Sequence, residues 1–204
     1  MKQILILFQL AFFSILPVFA QNRVVVELQK NSSLIIHGST NIVPFSLIQK
    51  GEKLSRSEVI VNFSKNQNRV VLGQSVLSVE VNDFRSDNKM AQHDFRKLVK
   101  ADLYPQIHLQ VMSLEMQPGS ENGRQTFSGY AVVSITITNV TRHYTIPFIV
   151  TNEKEIHVVD GKKRISIRDF GLEPPVQMMG LIKVSEWIDV DFHLIFRISQ
   201  EKQN

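Results

Sequence analysis

The sequence contains no cysteine, and only nine glycines and seven prolines occur among its 204 residues. Without a thiol the chain cannot form a disulfide, a thiolate zinc site or an iron–sulfur cluster, and it has no cysteine nucleophile. A bacterial lipoprotein anchor, which needs a cysteine at the cleavage site, is excluded for the same reason. The low glycine and proline content excludes a collagen-like or low-complexity chain.

Excess charge of one sign is also missing, since 23 lysines and arginines stand against 19 aspartates and glutamates. Hydrophobic residues make up 43% of the chain and charged residues 21%. This composition is too apolar and too weakly charged for an intrinsically disordered chain. The formal net charge is only +4. So mild a charge predicts neither nucleic-acid binding nor strong adsorption to a membrane.

The first twenty residues are typical of a cleavable secretory signal peptide. Lys2 gives a positive start, residues 4–19 are almost wholly apolar, and Ala20 ends the run with a small side chain. The alternative is an uncleaved anchor helix, but the run is short for a membrane span, which needs about 20 residues. We expect residues 1–20 to be removed and residues 21–204 to form one domain without stable membrane insertion. Export without cysteine fits the bacterial periplasm.

From residue 21 onward, apolar and polar residues alternate with a period of two. Successive side chains on a strand point to opposite faces, so each run predicts a strand with one buried and one wet face. No helices alternate with the runs, which disfavours a parallel sheet and leaves an antiparallel sandwich or a closed barrel. The candidate inward residues of six runs are Val61, Phe63, Val79, Val81, Leu109, Val111, Val133, Ile135, Ile146, Phe148, Val190 and Phe192.

Glycine-containing turn sequences separate several of these runs. They occur at residues 50–52, 118–120, 121–123 and 160–162. Asn-Gly and Asp-Gly tolerate positive φ at low cost, as tight hairpin turns require. We therefore expect the chain to reverse at all four places.

One segment departs from the alternation. Residues 86–99 predict a short helix that is capped by Ser86 or Asp87 and carries Met90, Phe95 and Leu98 on one face. A lone helix in an antiparallel barrel closes one end of it or serves only in packing, and the sequence leaves both roles open.

No catalytic constellation stands out. The six histidines form no His-x-His or His-x-x-x-His pair, so a metal site would have to be assembled across strands, and we expect none. Asp189 and Asp191 project to the same face of one strand and could do acid–base chemistry. The polar outer face of a half-buried strand accounts for them better.

Several motifs, taken in their order and spacing, resemble the YceI-like family of bacterial periplasmic proteins. They lie at residues 34–41, 44–45, 88–90, 98–101, 104–107, 140–142, 169–175 and 180–184. Asn139 replaces the glycine that often precedes Val-Thr in the family, and asparagine can still adopt the left-handed conformation. The resemblance covers residues 27 to 198, nearly all of the predicted mature chain.

The resemblance implies an all-β fold: a single lipocalin-like antiparallel barrel of about eight strands, with the short helix closing one end. It implies that the apolar lumen holds a polyisoprenoid or fatty-acid-like lipid and that no other cofactor is present. The ligand-binding residues would then be the twelve inward strand residues together with Met90, Phe95 and Leu98. The implied partner is an apolar lipid, with no nucleic acid, and a homodimer is left open.

Three functions are compatible with these features. The first is a periplasmic binding or carrier protein for a long apolar lipid, in particular an isoprenoid. The second is a structural or stress-response envelope protein whose barrel is filled by its own side chains. The third is an enzyme that uses Asp189, Asp191 or the scattered histidines. Because an apolar chain needs no charged residue to hold it, the missing catalytic constellation favours the first, and we expect the protein not to be an enzyme.

Overall fold

The computed structural model describes residues 22–54, 58–66, 68–73, 76–121, 124–153 and 155–200, and for residues 58–66 the description is of the backbone. The predicted signal peptide lies outside these ranges. The strands are β1 (Asn22–Leu28), β2 (Ser33–Ser39), β3 (Pro44–Lys50), β4 (Glu58–Asn66), β5 (Arg69–Gly73), β6 (Val76–Glu80), β7 (Gln106–Glu121), β8 (Arg124–Ile137), β9 (Val140–Glu153), β10 (Ile156–Ser166), β11 (Val176–Gln177), β12 (Ile182–Lys183) and β13 (Trp187–Gln200). The α-helices are α1 (Gly51–Leu54) and α2 (Lys89–Leu98), and short 3-10 helices span Val81–Asp83, Ile167–Phe170 and Met178–Gly180. Val81, predicted on a strand, therefore lies just beyond the end of β6. Within the described ranges, no helix has the length and apolar character needed to cross a membrane.

Among the described residues, eleven strands form one antiparallel sheet. The order is β1-β4-β5-β7-β8-β9-β10-β13-β2-β3, and β6 pairs with β7. β1 also pairs with β13, so the series of pairings returns to the strand from which it starts. β11 and β12 form a separate two-stranded hairpin. The predicted mostly antiparallel β-fold is confirmed.

The strand count exceeds the predicted number of about eight because three long strands are interrupted. β1 and β2 both pair with β13, on either side of an excursion at residues 29–32. β5 and β6 both pair with β7. β3 pairs with β2, and after α1 the chain continues in the same direction as β4 beside β1. Counting each interrupted pair once reduces the eleven strands to eight positions in the sheet.

Helix α2 falls within the predicted segment, but its cap is a different residue. Oδ1 of Asn88 accepts a hydrogen bond from the backbone N–H of Ala91 at 3.0 Å. Ser86, a predicted cap, instead accepts a hydrogen bond at 3.2 Å from the backbone N–H of Asn88. The prediction of Ser86 or Asp87 as the cap is therefore wrong, because the helix begins at Lys89, two residues later than a Ser86 cap requires and one later than an Asp87 cap requires.

Three of the four predicted reversals are wrong. Residues 118–120 lie inside β7, and residues 160–162 lie inside β10. Residues 50–52 lead from β3 into α1 without reversing the chain. At the fourth place, β7 and β8 pair antiparallel as far as Glu121 and Arg124, as a reversal between them requires, while residues 122 and 123 themselves lie outside the described ones.

Gly161 shows why a glycine can stand inside a strand. A Cβ atom at this position would lie 2.1 Å from Cζ of Phe192 and 2.7 Å from the carbonyl oxygen of Pro147. The glycine therefore provides room for a neighbouring ring rather than a turn. By contrast, Asn139 has the expected left-handed conformation, with φ of 65°.

Candidate functional site

Strand register places the predicted inward residues on a common face. Leu109 is paired with Ile135, and Val111 with Val133, so these side chains project to the same side of the sheet. Val79, Val81, Val133, Ile135, Ile146 and Phe148 are buried, and Leu109, Val111, Val190 and Phe192 pack against this core. The side chains of Val61 and Phe63 lie outside the described ones, although both residues belong to β4.

An apolar cavity of about 190 Å³ lies between this face and helix α2. Its walls include Ile36, Phe45, Leu47, Ile107, Ile137, Ile165, Ile167, Phe170, Leu172, Ile182 and Ile188. Ile42, Val43 and Met90 also line the cavity while being 64%, 48% and 58% exposed, so they mark its mouth.

The structure brings only part of the predicted lumen set to this cavity. Met90, Phe95 and Leu98 line it, which places the apolar face of α2 against it. The described strand residues of the set lie in the core and do not form its wall. Whether any of the fifteen residues contacts a ligand stays a prediction.

Three of the strand residues that do form the wall stand two positions away from members of the predicted set, on the same alternating face. Ile107 precedes Leu109, Ile137 follows Ile135, and Ile188 precedes Val190. The same alternation could have identified them, because it continues unbroken into these positions. Among the mouth residues, helical spacing identified Met90, whereas periodicity gives no signal for Ile42 and Val43, which stand in the turn between β2 and β3.

A polar pair interrupts the apolar wall beside the mouth. Nε2 of Gln177 donates a hydrogen bond to Oδ2 of Asp94, and both residues line the cavity. Gln177 belongs to the hairpin β11–β12, and Asp94 to α2. Their contact therefore ties the hairpin to the helix across one side of the cavity.

Asn41 ties the same hairpin to the turn between β2 and β3. Its Nδ2 donates to the carbonyl oxygen of Leu181 at 3.0 Å, and its Oδ1 accepts from the backbone N–H of Lys183 at 2.9 Å. Thr40 and Val184 form a β-bridge beside it. The mouth thus lies among three segments, and the hairpin is bonded to each of the other two.

Ion pairs and hydrogen bonds hold the segment after β10 against the cavity. The hydroxyl of Tyr144 donates to Oδ2 of Asp169 at 2.8 Å. Burial, and then this bond to a carboxylate, raises the pKa of Tyr144 well above its usual range. Arg168 contacts Glu186 at 2.5 Å and Glu173 at 2.6 Å, and the two hydrogen bonds raise the pKa of its guanidinium.

The acid–base candidates lie on the opposite face of the sheet from the cavity. Asp191 contacts Nζ of Lys162 and Nε2 of His37, each at 3.2 Å. The pairing of Asp160 with His193 at 2.6 Å continues this polar row. In the described part of the chain, no group of three or more histidine, aspartate or glutamate side chains could hold a metal ion.

Comparison with known sequences gives one family match. The sequence profile of the YceI-like domain matches residues 46–196, which is well over half of the chain. No curated protein matches the sequence significantly.

Several solved structures resemble the fold, BcnA and a polyisoprenoid binding domain among them. BcnA from Burkholderia cenocepacia superposes with a TM-score of 0.55 at 16% sequence identity, covering 80% of this chain and 95% of BcnA. A polyisoprenoid binding domain from Saccharophagus degradans, implicated in plant cell wall breakdown, gives a TM-score of 0.59 at 12% identity, covering 85% of this chain and 98% of that domain. At such low identities the likeness shows the fold alone.

Proposed function

The chain belongs to the YceI-like family, and from this premise we propose that it is a periplasmic binding or carrier protein for a long apolar lipid, an isoprenoid in particular. The observation that carries the proposal is the apolar cavity between the sheet and α2. Each methylene group that leaves water for such a cavity contributes about 0.8 kcal/mol. A hydrocarbon chain can therefore bind without any ion pair.

The pairings of the sheet support the proposal that the strands act as one closed barrel around the ligand. β1 pairs on one side with β4 and on the other with β13. A barrel of about eight strands has room for its own side chains or for one small ligand. The polyisoprenoid binding domain from Saccharophagus degradans supports an isoprenoid as the class of ligand for this fold.

The size of the cavity restricts how much of a lipid it can take. Its 190 Å³ exceed the roughly 150 Å³ apolar cavity that binds benzene. It is smaller than the roughly 300–1,000 Å³ of typical ligand sites. We therefore propose that one end of the chain occupies the cavity and that the remainder passes through the mouth or displaces core side chains.

The periplasmic location and the absence of enzymatic activity belong to the same proposal. If the protein is exported, cleavage after Ala20 should accompany export, and intact-mass analysis of the protein from its host should show loss of residues 1–20. A binding role without chemistry accords with carboxylates that lie on the outer face, where Asp191 is engaged by Lys162 and His37.

Ala91 offers a direct test, because it lines the cavity from α2. Ala91→Phe adds a ring to the space that the lipid would occupy, so the lipid that copurifies with the wild type should be lost. His93→Phe is the matched control, because it adds the same ring to the same helix at an exposed position. Retention of the lipid by Ala91→Phe at the wild-type level would contradict the proposal.

The second candidate is a structural envelope protein without a ligand. It is favoured by Val79, Val81 and Phe84, which are 0% exposed and fill part of the interior with side chains. It predicts that wild-type protein carries no lipid from any host. The two candidates thus differ in the wild-type extract as well as in the variant.

A further inference from the structure

Apolar side chains project into solvent around the mouth of the cavity. We call this set the apolar rim, and its members are Ile42, Val43, Met90, Val176, Met178, Met179 and Leu181. Met179 is fully exposed, and Leu181 and Met178 are 71% and 65% exposed. Scattered exposed apolar residues are normal, whereas a group at one place marks an interaction surface.

The backbone at the tip of the hairpin β11–β12 is strained. Met178 and Met179 have φ of 47° and 53°, a left-handed conformation that residues with a Cβ atom adopt at an energetic cost. Gly180 follows with φ of 98°. The strain falls on two methionines that contribute nothing to the buried core, which suggests a use for them outside it.

The rim is held in a fixed position relative to the cavity. Asn41 joins the hairpin to the turn that carries Ile42 and Val43. Gln177 joins the same hairpin to α2, which carries Met90. The rim is therefore continuous with the cavity wall, and a hydrocarbon chain that leaves the cavity at the mouth meets the rim.

The charge of the hairpin favours an anionic surface. Its residues, Val176 to Lys183, contain one lysine and no carboxylate, and Lys183 is exposed. On the helix side of the rim, the exposed Lys89 stands beside Met90, and Asp87 and Asp94 balance its charge there. The net positive charge next to the exposed methionines is therefore that of Lys183 on the hairpin.

We propose that the apolar rim docks onto the surface of a phospholipid bilayer, so that the mouth opens toward the membrane. Met178, Met179 and Leu181 lie among the lipid headgroups, at the depth of about 5–10 Å that interfacial apolar groups reach. Lys183 contacts anionic headgroups beside them. The inference rests on the proposed function, because a water-insoluble ligand must be taken from, or returned to, a membrane.

Flotation with vesicles of phosphatidylethanolamine and phosphatidylglycerol tests the docking. The double variant Met178→Asn and Met179→Asn makes the tip polar, and asparagine tolerates the left-handed backbone. We expect its partitioning onto vesicles to fall about tenfold or more, because the two substitutions remove apolar surface that the methionines would bury in the membrane. Met112→Asn, at an exposed methionine on β7, is the matched control and should float like the wild type.

Two flotation results would overturn the docking: a wild type that does not float, or a double variant that floats like the wild type. A third result would show that the rim is instead the contact between two copies of the chain. In the last case the wild type would be a dimer by light scattering, the double variant a monomer, and neither would float.

Lipid retention, measured by organic extraction of the same proteins, separates this inference from the proposed function. A wild type that carries lipid but does not float overturns the docking alone. A wild type that floats but carries no lipid supports docking and counts against the carrier function.

Discussion

The ring of Phe45 lies across Gly38, its partner on the neighbouring strand: a Cβ atom at Gly38 would lie 2.4 Å from Cζ of Phe45. Phe45 also lines the cavity. The position of a cavity-lining ring therefore depends on the missing side chain of the adjacent residue.

Gly38→Ala should push the ring of Phe45 toward the cavity and reduce the amount of bound lipid. The fold should survive, because the displaced atoms are the end of a side chain, although overpacking should cost roughly 1–3 kcal/mol in the free energy of unfolding. Lipid per protein in an organic extract, measured together with the melting temperature, checks this. Gly119→Ala is the control, because a Cβ atom at Gly119 would lie 3.1 Å from its nearest neighbour, Oγ1 of Thr126. Gly119 also stands near the end of β7 that is remote from the cavity-lining Ile107. Unchanged lipid in Gly38→Ala would show that Phe45 does not limit the binding space.

Gln177→Ala should speed the exchange of lipid through the mouth. The variant removes the hydrogen bond to Asp94 that ties the hairpin to α2. A hydrogen bond to a charged group contributes about 1.5–3 kcal/mol, so exchange should be about tenfold faster or more. Transfer of a fluorescent isoprenoid from the protein to acceptor vesicles measures the rate.

Gln106→Ala is the matched control for this experiment. It removes a similar glutamine–carboxylate bond, between Nε2 of Gln106 and Oε1 of Glu80 at 2.6 Å, on strands β7 and β6. Equal acceleration in both variants would indicate general loosening of the fold, and no acceleration in Gln177→Ala would show that the contact does not gate the mouth.

The alternation of side chains predicted the strands and their buried face well, because one buried face leaves a period-two pattern in the sequence. Val133 and Ile135 are buried as part of that pattern. The glycine signals were less informative. The sequence around Gly161 predicted a turn, yet the glycine lies in a strand and leaves room for the ring of Phe192. Such a contact between distant residues leaves no signal in the local sequence.

The mouth of the cavity could not be predicted from periodicity. Asn41 and Lys183 are 142 residues apart in the chain, and only the folded topology brings them together. The exposed methionines of the hairpin stand outside any strand pattern. The family motif at residues 180–184 marked this segment without revealing its contacts.

The stability of the protein should fall as the pH drops below about 6.5 because of His157. Burial lowers the pKa of this side chain below its ordinary value of 6.5. The unfolded chain therefore takes up a proton at His157 before the folded protein does, and the stability present above pH 6.5 is lost as the pH falls toward the lower folded value. His157→Gln should flatten this part of the pH profile in chemical denaturation. The same substitution at the exposed His93 controls for the loss of a histidine, and an equally steep profile in His157→Gln would assign the acid sensitivity elsewhere.

The most direct test of the central claim is quantitative mass spectrometry of an organic extract of wild-type protein, purified without detergent from its bacterial host. If the cavity between the sheet and α2 holds one apolar chain, the extract should contain an isoprenoid or a similar long lipid at about one molecule per protein chain. An extract without stoichiometric lipid, from protein that is folded and correctly processed after Ala20, would contradict the account and favour a barrel filled by its own side chains.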